Sequence, residues 1–238
     1  MHTLHPSEGH ASAGNTSAGR TRRSRFVLAA IGALTALAGL AGMAAPEPDP
    51  VPRRWQLDVK LGPLRVAKVD VPGGTSKAYF YLTYKVTNAS GTDVLLAPAW
   101  DLATSDGRIA RSGRNVPAAV TQELLKTLHS DYLQDQISII GVLMQGEENA
   151  KDGLVVWAID DLRVNEVDIF AAGFSGESKP MEVLNPSSGE KEKVLLRKTL
   201  MARYSTPGEI ENQGSAPFDP AEVRWIMRWA GCEGVVGF

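Results

Sequence analysis

The sequence predicts a mainly β fold, an antiparallel β-sandwich with one inserted helix, preceded by a single N-terminal transmembrane or signal helix. Three patterns predict this. Between residues 55 and 230, apolar residues recur with a period of two in short segments that Gly, Pro, Asp or Asn separate. Residues 117–129 have helical spacing instead. Residues 26–45 form an apolar run without a single charge.

The apolar run is 20 residues long and follows a basic cluster, Arg20, Arg22, Arg23 and Arg25. A helix of that length spans about 30 Å, the thickness of the hydrocarbon core of a bilayer. The arginines predict that residues 1–25 stay in the cytoplasm as a disordered tail, while the C-terminal side crosses. We therefore expect a single-pass membrane protein of the cell envelope. Cleavage that leaves a secreted or periplasmic domain is the alternative, because Ala36-Leu37-Ala38 offers small residues at suitable spacing.

Beyond the apolar run, 193 of the 238 residues remain, which suits one domain with a substantial core. Residues 46–54 form a Pro-rich spacer, residues 55–230 the β-sandwich domain, and residues 231–238 a C-terminal tail of Gly and apolar residues. Setting aside the four arginines and one glutamate of residues 1–45, the totals of 25 and 27 become 21 basic and 26 acidic side chains, a net charge of −5. This balance predicts no attraction to nucleic acid.

Nine segments of the domain have the features of strands. Phe80, Leu82, Tyr84 and Val86 alternate with more polar neighbours, which predicts a half-buried strand with these four residues on its inner face. The predicted strands are residues 57–61, 65–71, 79–87, 94–104, 137–144, 154–159, 167–174, 194–204 and 223–229.

The single predicted helix extends from Pro117 to His129. Leu124 and Leu128 share one helical face, and Pro117 suits the first turn. We expect Leu124 and Leu128 to pack against the sheets, with the helix covering an open end of the core.

Several of these segments resemble a known family. The stretch from Tyr81 to Asn88, the turn at Asp106-Gly107 and the run from Gly153 to Trp157 resemble immunoglobulin-like extracytoplasmic domains of bacterial lipoproteins and envelope proteins, of the DUF4352-like kind. The resemblance covers residues 77–172, about half of the domain. It implies an immunoglobulin-like fold and an extracytoplasmic location, and it implies no catalytic residues. No lipobox cysteine follows the apolar run, so a lipoprotein anchor is not expected.

No common catalytic constellation is evident in the sequence. Cys232 is the only cysteine and His129 the only histidine of the domain, so we expect no metal site, no cofactor and no catalytic triad. Gly173-Phe174-Ser175-Gly176 lacks the spacing of a nucleophile elbow and is predicted to be a turn. Acidic pairs are the remaining candidates for chemistry, as glycan hydrolysis needs two facing carboxylates. These pairs are Glu147 and Glu148, Asp160 and Asp161, and Glu166 and Asp168.

A basic face is the better candidate for a binding site. Lys193, Arg197 and Arg203 share one face of residues 194–204 and its flank if alternation holds, and Arg224 and Arg228 share one face of residues 223–229. If the two strands are neighbours, these side chains form a patch for an anionic polymer or lipid headgroups. Trp225, Met227 and Trp229 then face the core.

These observations favour a non-enzymatic binding or structural module outside the cytoplasmic membrane. We expect its partners to be the membrane, through residues 26–45, and an envelope protein or an anionic polymer. The alternative is a glycan-active hydrolase that uses loop carboxylates.

Overall fold

A computed structural model describes residues 47, 54–70, 76–158, 163–185, 188–206 and 217–229. They belong to one compact unit, Pro46–Phe238. The predicted segments 1–25 and 26–45, most of the spacer and the tail 231–238 lie outside the described residues.

The described part of the chain is mainly β, with thirteen strands and one helix. The strands are β1 Asp58–Leu61, β2 Arg65–Asp70, β3 Ser76–Asn88, β4 Val94–Leu96, β5 Ala99–Thr104, β6 Ile109–Arg111, β7 Leu133–Gln134, β8 Gly141–Leu143, β9 Gly146–Ala158, β10 Glu166–Ala172, β11 Ser178–Leu184, β12 Lys191–Ser205 and β13 Pro220–Trp229; the helix, α1, is Ala118–Leu128. All nine predicted segments contain strand, although residues 94–104 divide into two strands. Three strands, β6, β7 and β11, were not predicted.

A five-stranded sheet is built around the long strand β3. Strands β1 and β2 pair end to end along one edge of β3, and β9 pairs antiparallel along the other. The short strand β7 runs parallel to β9 and completes the sheet.

A six-stranded sheet is built in a similar way around β12. Strands β10 and β11 pair end to end along one edge of β12, and β13 pairs along the other. Beyond β10 lie β5 and then β6. Every pairing in this sheet is antiparallel.

The two larger sheets share one apolar core. The predicted inner face of β3, Phe80, Leu82, Tyr84 and Val86, is buried there. It meets residues of β5, β10 and β12 from the other sheet. The ring centroids of Tyr84 and Trp100 are 4.6 Å apart, and those of Trp100 and Phe174 are 5.4 Å apart, so aromatic packing joins the two sheets directly.

Helix α1 lies where the sequence predicts a helix, but its position corrects one expectation. Its buried residues Val120 and Leu124 pack against Tyr79, Tyr81 and Leu154, which lie on the outer face of the five-stranded sheet. The helix therefore covers this outer face rather than an open end of the core. Leu128 is half-buried in the same cluster.

A two-stranded ribbon of β4 and β8 covers the core instead. Val94, Leu96 and Leu143 point inward and join the core that the larger sheets share. The buried Asn88 anchors the ribbon, because its side-chain amide donates to the carbonyl of Leu143 at 2.9 Å. Ala97 and Pro98 separate β4 from β5 and so divide the predicted strand 94–104. Strand β4 therefore pairs with β8 and is not part of the six-stranded sheet.

The inner face of β12 carries a buried charged residue, Lys198. It lies between the buried apolar residues Leu196 and Leu200. Its ammonium is 2.9 Å from Glu177 Oε2, and the two side chains are 4% and 3% exposed. Lys198 Nζ also lies 5.7 Å from the ring centroid of Trp225. Because Lys198 shares the inner face of β12 with Leu196 and Leu200, its ion pair with Glu177 is buried at the margin of the core.

Candidate functional site

The two strands that carry the predicted basic residues are neighbours. In the antiparallel register of β12 and β13, Arg197 lies opposite Arg228, and Met201 lies opposite Arg224. Leu200, Ala202 and Tyr204 point into the core, so residues of the other parity point away from it. The structure thus places Lys193, Arg197, Arg203, Arg224 and Arg228 on the outer face of the six-stranded sheet.

The residues that alternate with these arginines on β13 are buried to different degrees. Met227 is buried among Val194 and Leu196, and Trp225 packs against the main core. Trp229, the last described residue of the strand, is 36% exposed. All three side chains lie on the inner side of β13, as expected, but only Met227 is fully buried.

Carboxylates engage three of the five basic residues, and Arg203 and Arg224 are two of these. Arg203 donates two hydrogen bonds to Asp168, at 2.8 and 2.9 Å, and its Nε lies 3.4 Å from Glu166. These hydrogen bonds and the adjacent carboxylate charge raise the pKa of Arg203. Arg224 pairs with Glu222 at 3.2 Å in a more exposed position. Both guanidinium charges are therefore largely compensated.

Arg228 is held across the sheet. Its Nη1 lies 2.6 Å from Asp101 Oδ2, and its guanidinium carbon lies 4.4 Å from the ring centroid of Phe170. Asp101 also accepts a hydrogen bond from Arg111 at 3.2 Å. The aromatic ring and the carboxylate fix the Arg228 guanidinium in one place on the outer face.

Lys193 and Arg197 differ from the other three basic residues. Both are exposed, and within the described part of the chain neither forms an ion pair with a carboxylate. Arg197 also lies directly opposite Arg228, whose guanidinium is bound to Asp101. Two like charges at opposed positions of a β pair destabilise it. The register thus places the two arginine positions side by side on the outer face, while the Arg228 guanidinium itself lies over Phe170.

The acidic pairs considered for hydrolysis lie in different surroundings. Glu166 and Asp168 share the outer face of β10 and both contact Arg203. Glu147 and Glu148 are exposed near the start of β9. Asp160 and Asp161 lie outside the described residues. No three His, Cys, Asp or Glu side chains among the described residues are grouped so that they could hold a metal ion.

The Ser175 segment is a bend between β10 and β11 rather than the predicted turn, because both strands run in the same direction along β12, and Ser175 forms an isolated bridge with Gln56. Gly173 has φ of +89°, and an added Cβ there would lie 2.3 Å from the carbonyl oxygen of Ala97. The Ser175 hydroxyl donates to the carbonyl of Trp55 at 3.3 Å and accepts from the amide of Glu177 at 3.2 Å. His129 caps the C-terminus of α1, with Nδ1 2.6 Å from the carbonyl of Thr127. Both side chains thus have local structural partners.

The β4–β8 ribbon presents a second surface that the sequence did not suggest. Leu95 and Val142 are directly opposite each other on its outer side and are 65% and 62% exposed. Ile140 and Met144, which flank β8, are half exposed, and Ile137 is 74% exposed. We call these five residues, Leu95, Ile137, Ile140, Val142 and Met144, the apolar ribbon. Exposed apolar side chains on adjoining segments mark interaction surfaces.

Comparisons with known proteins add no relatives. No protein-family model, curated protein or solved structure matches this chain. Among the described residues, no helix is both long and apolar enough to cross a membrane.

Proposed function

We propose that this chain is a membrane-anchored, extracytoplasmic binding module of the cell envelope, without catalytic activity, and that its domain is an immunoglobulin-like sandwich. The basic cluster before residues 26–45 supports the orientation, since positive flanks stay in the cytoplasm. Two sheets around one core, with their strands antiparallel to each other except at β7, support the sandwich.

The ligand we propose is an anionic polymer of the envelope. The observation that carries this proposal is the opposition of Arg197 and Arg228 on the outer face. Asp101 and Phe170 preorganise Arg228, whereas Arg197 is exposed and Lys193 lies further along the same strand. Successive anionic groups of a polymer can then contact β12 and β13 together. Such binding is electrostatic and weakens as salt is added.

Binding of the full chain to immobilised dextran sulfate, over a series of NaCl concentrations, tests this proposal. Arg197→Glu should weaken binding severalfold and reduce its dependence on salt. Lys77→Glu is the matched control, because it makes the same charge change at an exposed position of the other sheet. Equal losses in the two variants would show that net charge alone drives binding, and unchanged binding of Arg197→Glu would contradict the assigned face.

The orientation has a separate test. A reporter that is active only outside the cytoplasm, fused after Phe238, should be active. A reporter that is active only in the cytoplasm should be silent in the same fusion, and its activity there would reverse the proposed topology.

A further inference from the structure

Four buried polar atoms in one part of the shared core have no hydrogen-bond partner among the described residues. They are the Tyr84 hydroxyl, the Trp100 indole Nε1, and the side-chain oxygens of Gln134 and Gln136. Tyr84 and Trp100 are only 3% and 1% exposed, so bulk water does not reach them. Buried polar groups of folded proteins are nearly always hydrogen-bonded, to protein or to ordered water. These four atoms therefore point to a molecule that binds between them.

Tyr84 and Gln134 are brought together by Gly153. Tyr84 lies opposite Gly153 in the pairing of β3 and β9, and Gln134 pairs with Gly153 from the other edge of β9. The Tyr84 ring covers the Cα of Gly153, since an added Cβ there would be 2.6 Å from the phenol oxygen. Leu133 packs on the outer face of this sheet, so Gln134 points to the inner face, as Tyr84 does. The Tyr84 hydroxyl therefore extends across β9 towards Gln134.

Trp100 approaches the same hydroxyl from the six-stranded sheet. The ring centroids of Tyr84 and Trp100 are 4.6 Å apart. Burial raises the pKa of Tyr84, while the Trp100 indole N–H, near the phenol oxygen, acts in the opposite direction. The two groups nevertheless do not meet the geometry of a hydrogen bond. The indole N–H thus lies close to the phenol oxygen with its hydrogen available to another acceptor.

Gln136 reaches this region through the loop after β6. Its side-chain amide packs on Gly113, where an added Cβ would be 2.9 Å from Gln136 Oε1. The Gly113 amide donates to a carbonyl of β9 at 2.9 Å, three residues after the position that pairs with Gln134, about 10 Å along the strand. The neighbouring Ser112 amide donates to the carbonyl of Trp100 at 2.9 Å. Gln136 is therefore placed where β9 and β5 approach each other, close to the other three groups.

The donors and acceptors of these four groups match a water molecule. The two glutamine oxygens only accept hydrogen bonds, and an indole N–H only donates. A phenol hydroxyl can do either. A molecule that satisfies all four must donate twice and also accept, as water can. A metal or ammonium cation cannot accept from the indole, and an anion without protons cannot donate to the glutamine oxygens.

We propose that Tyr84, Trp100, Gln134 and Gln136 form an internal water site that joins the two larger sheets. The water donates to the two glutamine oxygens and accepts from the indole N–H and the Tyr84 hydroxyl. Buried waters typically make about three hydrogen bonds to protein, so four groups are sufficient to hold one. The site links β3 and β5 to the segment after β7, which itself pairs with β9 over two residues only. The water therefore helps to order this end of the fold.

The test uses the full chain in detergent micelles, deuterated and labelled with ¹⁵N at the tryptophan indoles. Nuclear Overhauser transfer from water to the Trp100 indole proton, opposite in sign in the laboratory and rotating frames, reports a long-lived bound water and excludes proton exchange. Gln134→Met should abolish this transfer, and Tyr84→Phe should reduce it severalfold. Tyr204→Phe is the matched control, because its buried hydroxyl already donates to the carbonyl of Gly62 at 3.3 Å, and it should leave the transfer unchanged. Unshifted signals from the other indoles show that each variant is folded.

Three results would overturn the proposal. A natural chain without this transfer, whose Trp100 indole proton is protected from exchange, would show that the four polar atoms are buried dry. Rapid exchange of that proton with solvent would show that this part of the core is open to bulk water. Equal transfer in the natural chain and in folded Gln134→Met would show that the glutamine oxygens do not hold the water.

Discussion

The buried pair of Lys198 and Glu177 allows a direct test of how this fold tolerates charge at the margin of its core. The ammonium and carboxylate are 2.9 Å apart, and both side chains are almost fully buried. Glu177→Gln leaves the Lys198 ammonium in place without its anion. Removing one partner of a buried pair costs about 3–5 kcal/mol, because the remaining charge has lost its compensation. We expect a loss of this size in the free energy of unfolding.

The paired replacement should behave differently. Met227 lies opposite Lys198 in the register, and the neighbouring inner-face residues are apolar. Glu177→Leu combined with Lys198→Met removes both charges where apolar contacts are available, so its stability should lie within about 1–2 kcal/mol of the natural chain or exceed it. The Lys198 amide hydrogen bond to the Glu177 carbonyl, at 3.0 Å, is retained in both variants.

Urea unfolding followed by tryptophan fluorescence measures these differences, since Trp225 lies beside Lys198. The control is Lys191→Met, which removes the cation of an exposed pair with Glu182 at 3.9 Å and should change stability by no more than about 1 kcal/mol. If Glu177→Gln costs no more than this control, the pair is not buried as described, and the reasoning fails.

Two further predictions concern α1 and the turn before the ribbon. Leu124→Ala should lower the free energy of unfolding by about 2–5 kcal/mol, because Leu124 is buried against the outer face of the five-stranded sheet. Gln122→Ala on the exposed face should change it by less than about 0.5 kcal/mol, and an equal effect of the two would place Leu124 in solvent. Partial burial of Asp135 acts to raise its pKa, but hydrogen bonds from Ser138 and Ile137 outweigh it and lower the pKa below the usual value. Its stabilisation should be complete above the unfolded-state pKa of about 4 and decline as the pH falls through the lower folded-state pKa. The destabilisation caused by Asp135→Ala, measured by urea unfolding, should therefore shrink in acid, and a pH-independent difference would contradict this explanation.

The strands with strong local patterns could be predicted from the sequence. The alternation of Phe80, Leu82, Tyr84 and Val86 predicts the inner face of β3 because side chains of a strand point to opposite sides in turn. The helical spacing of Leu124 and Leu128 predicts α1 in the same way. Strand β11 was not predicted, since Pro180 and charged residues interrupt its pattern. It tolerates Pro180 because it pairs on one side only, with β12.

Part of the candidate site was also within reach of the sequence. Alternation in β12 and β13 was sufficient to group Lys193, Arg197 and Arg203 on one face and Arg224 and Arg228 on another, and the pairing of the two strands joined these faces. The same alternation also indicates that Lys198 is buried, because Lys198 lies on the same side of the strand as the apolar residues 194, 196, 200 and 202.

By itself, the sequence determined where the helix and the strands with clear alternation lie and which side of those strands is apolar, because these depend on neighbours a few positions apart. Only the tertiary structure decided which carboxylates compensate the arginines. Asp168 meets Arg203 from 35 residues away, and Asp101 meets Arg228 from 127 residues away. It also decided that the ribbon, rather than α1, covers the core, and that Leu95 and Val142 are left exposed side by side. These outcomes depend on the pairing and register of distant strands, and no short-range periodicity encodes such long-range register.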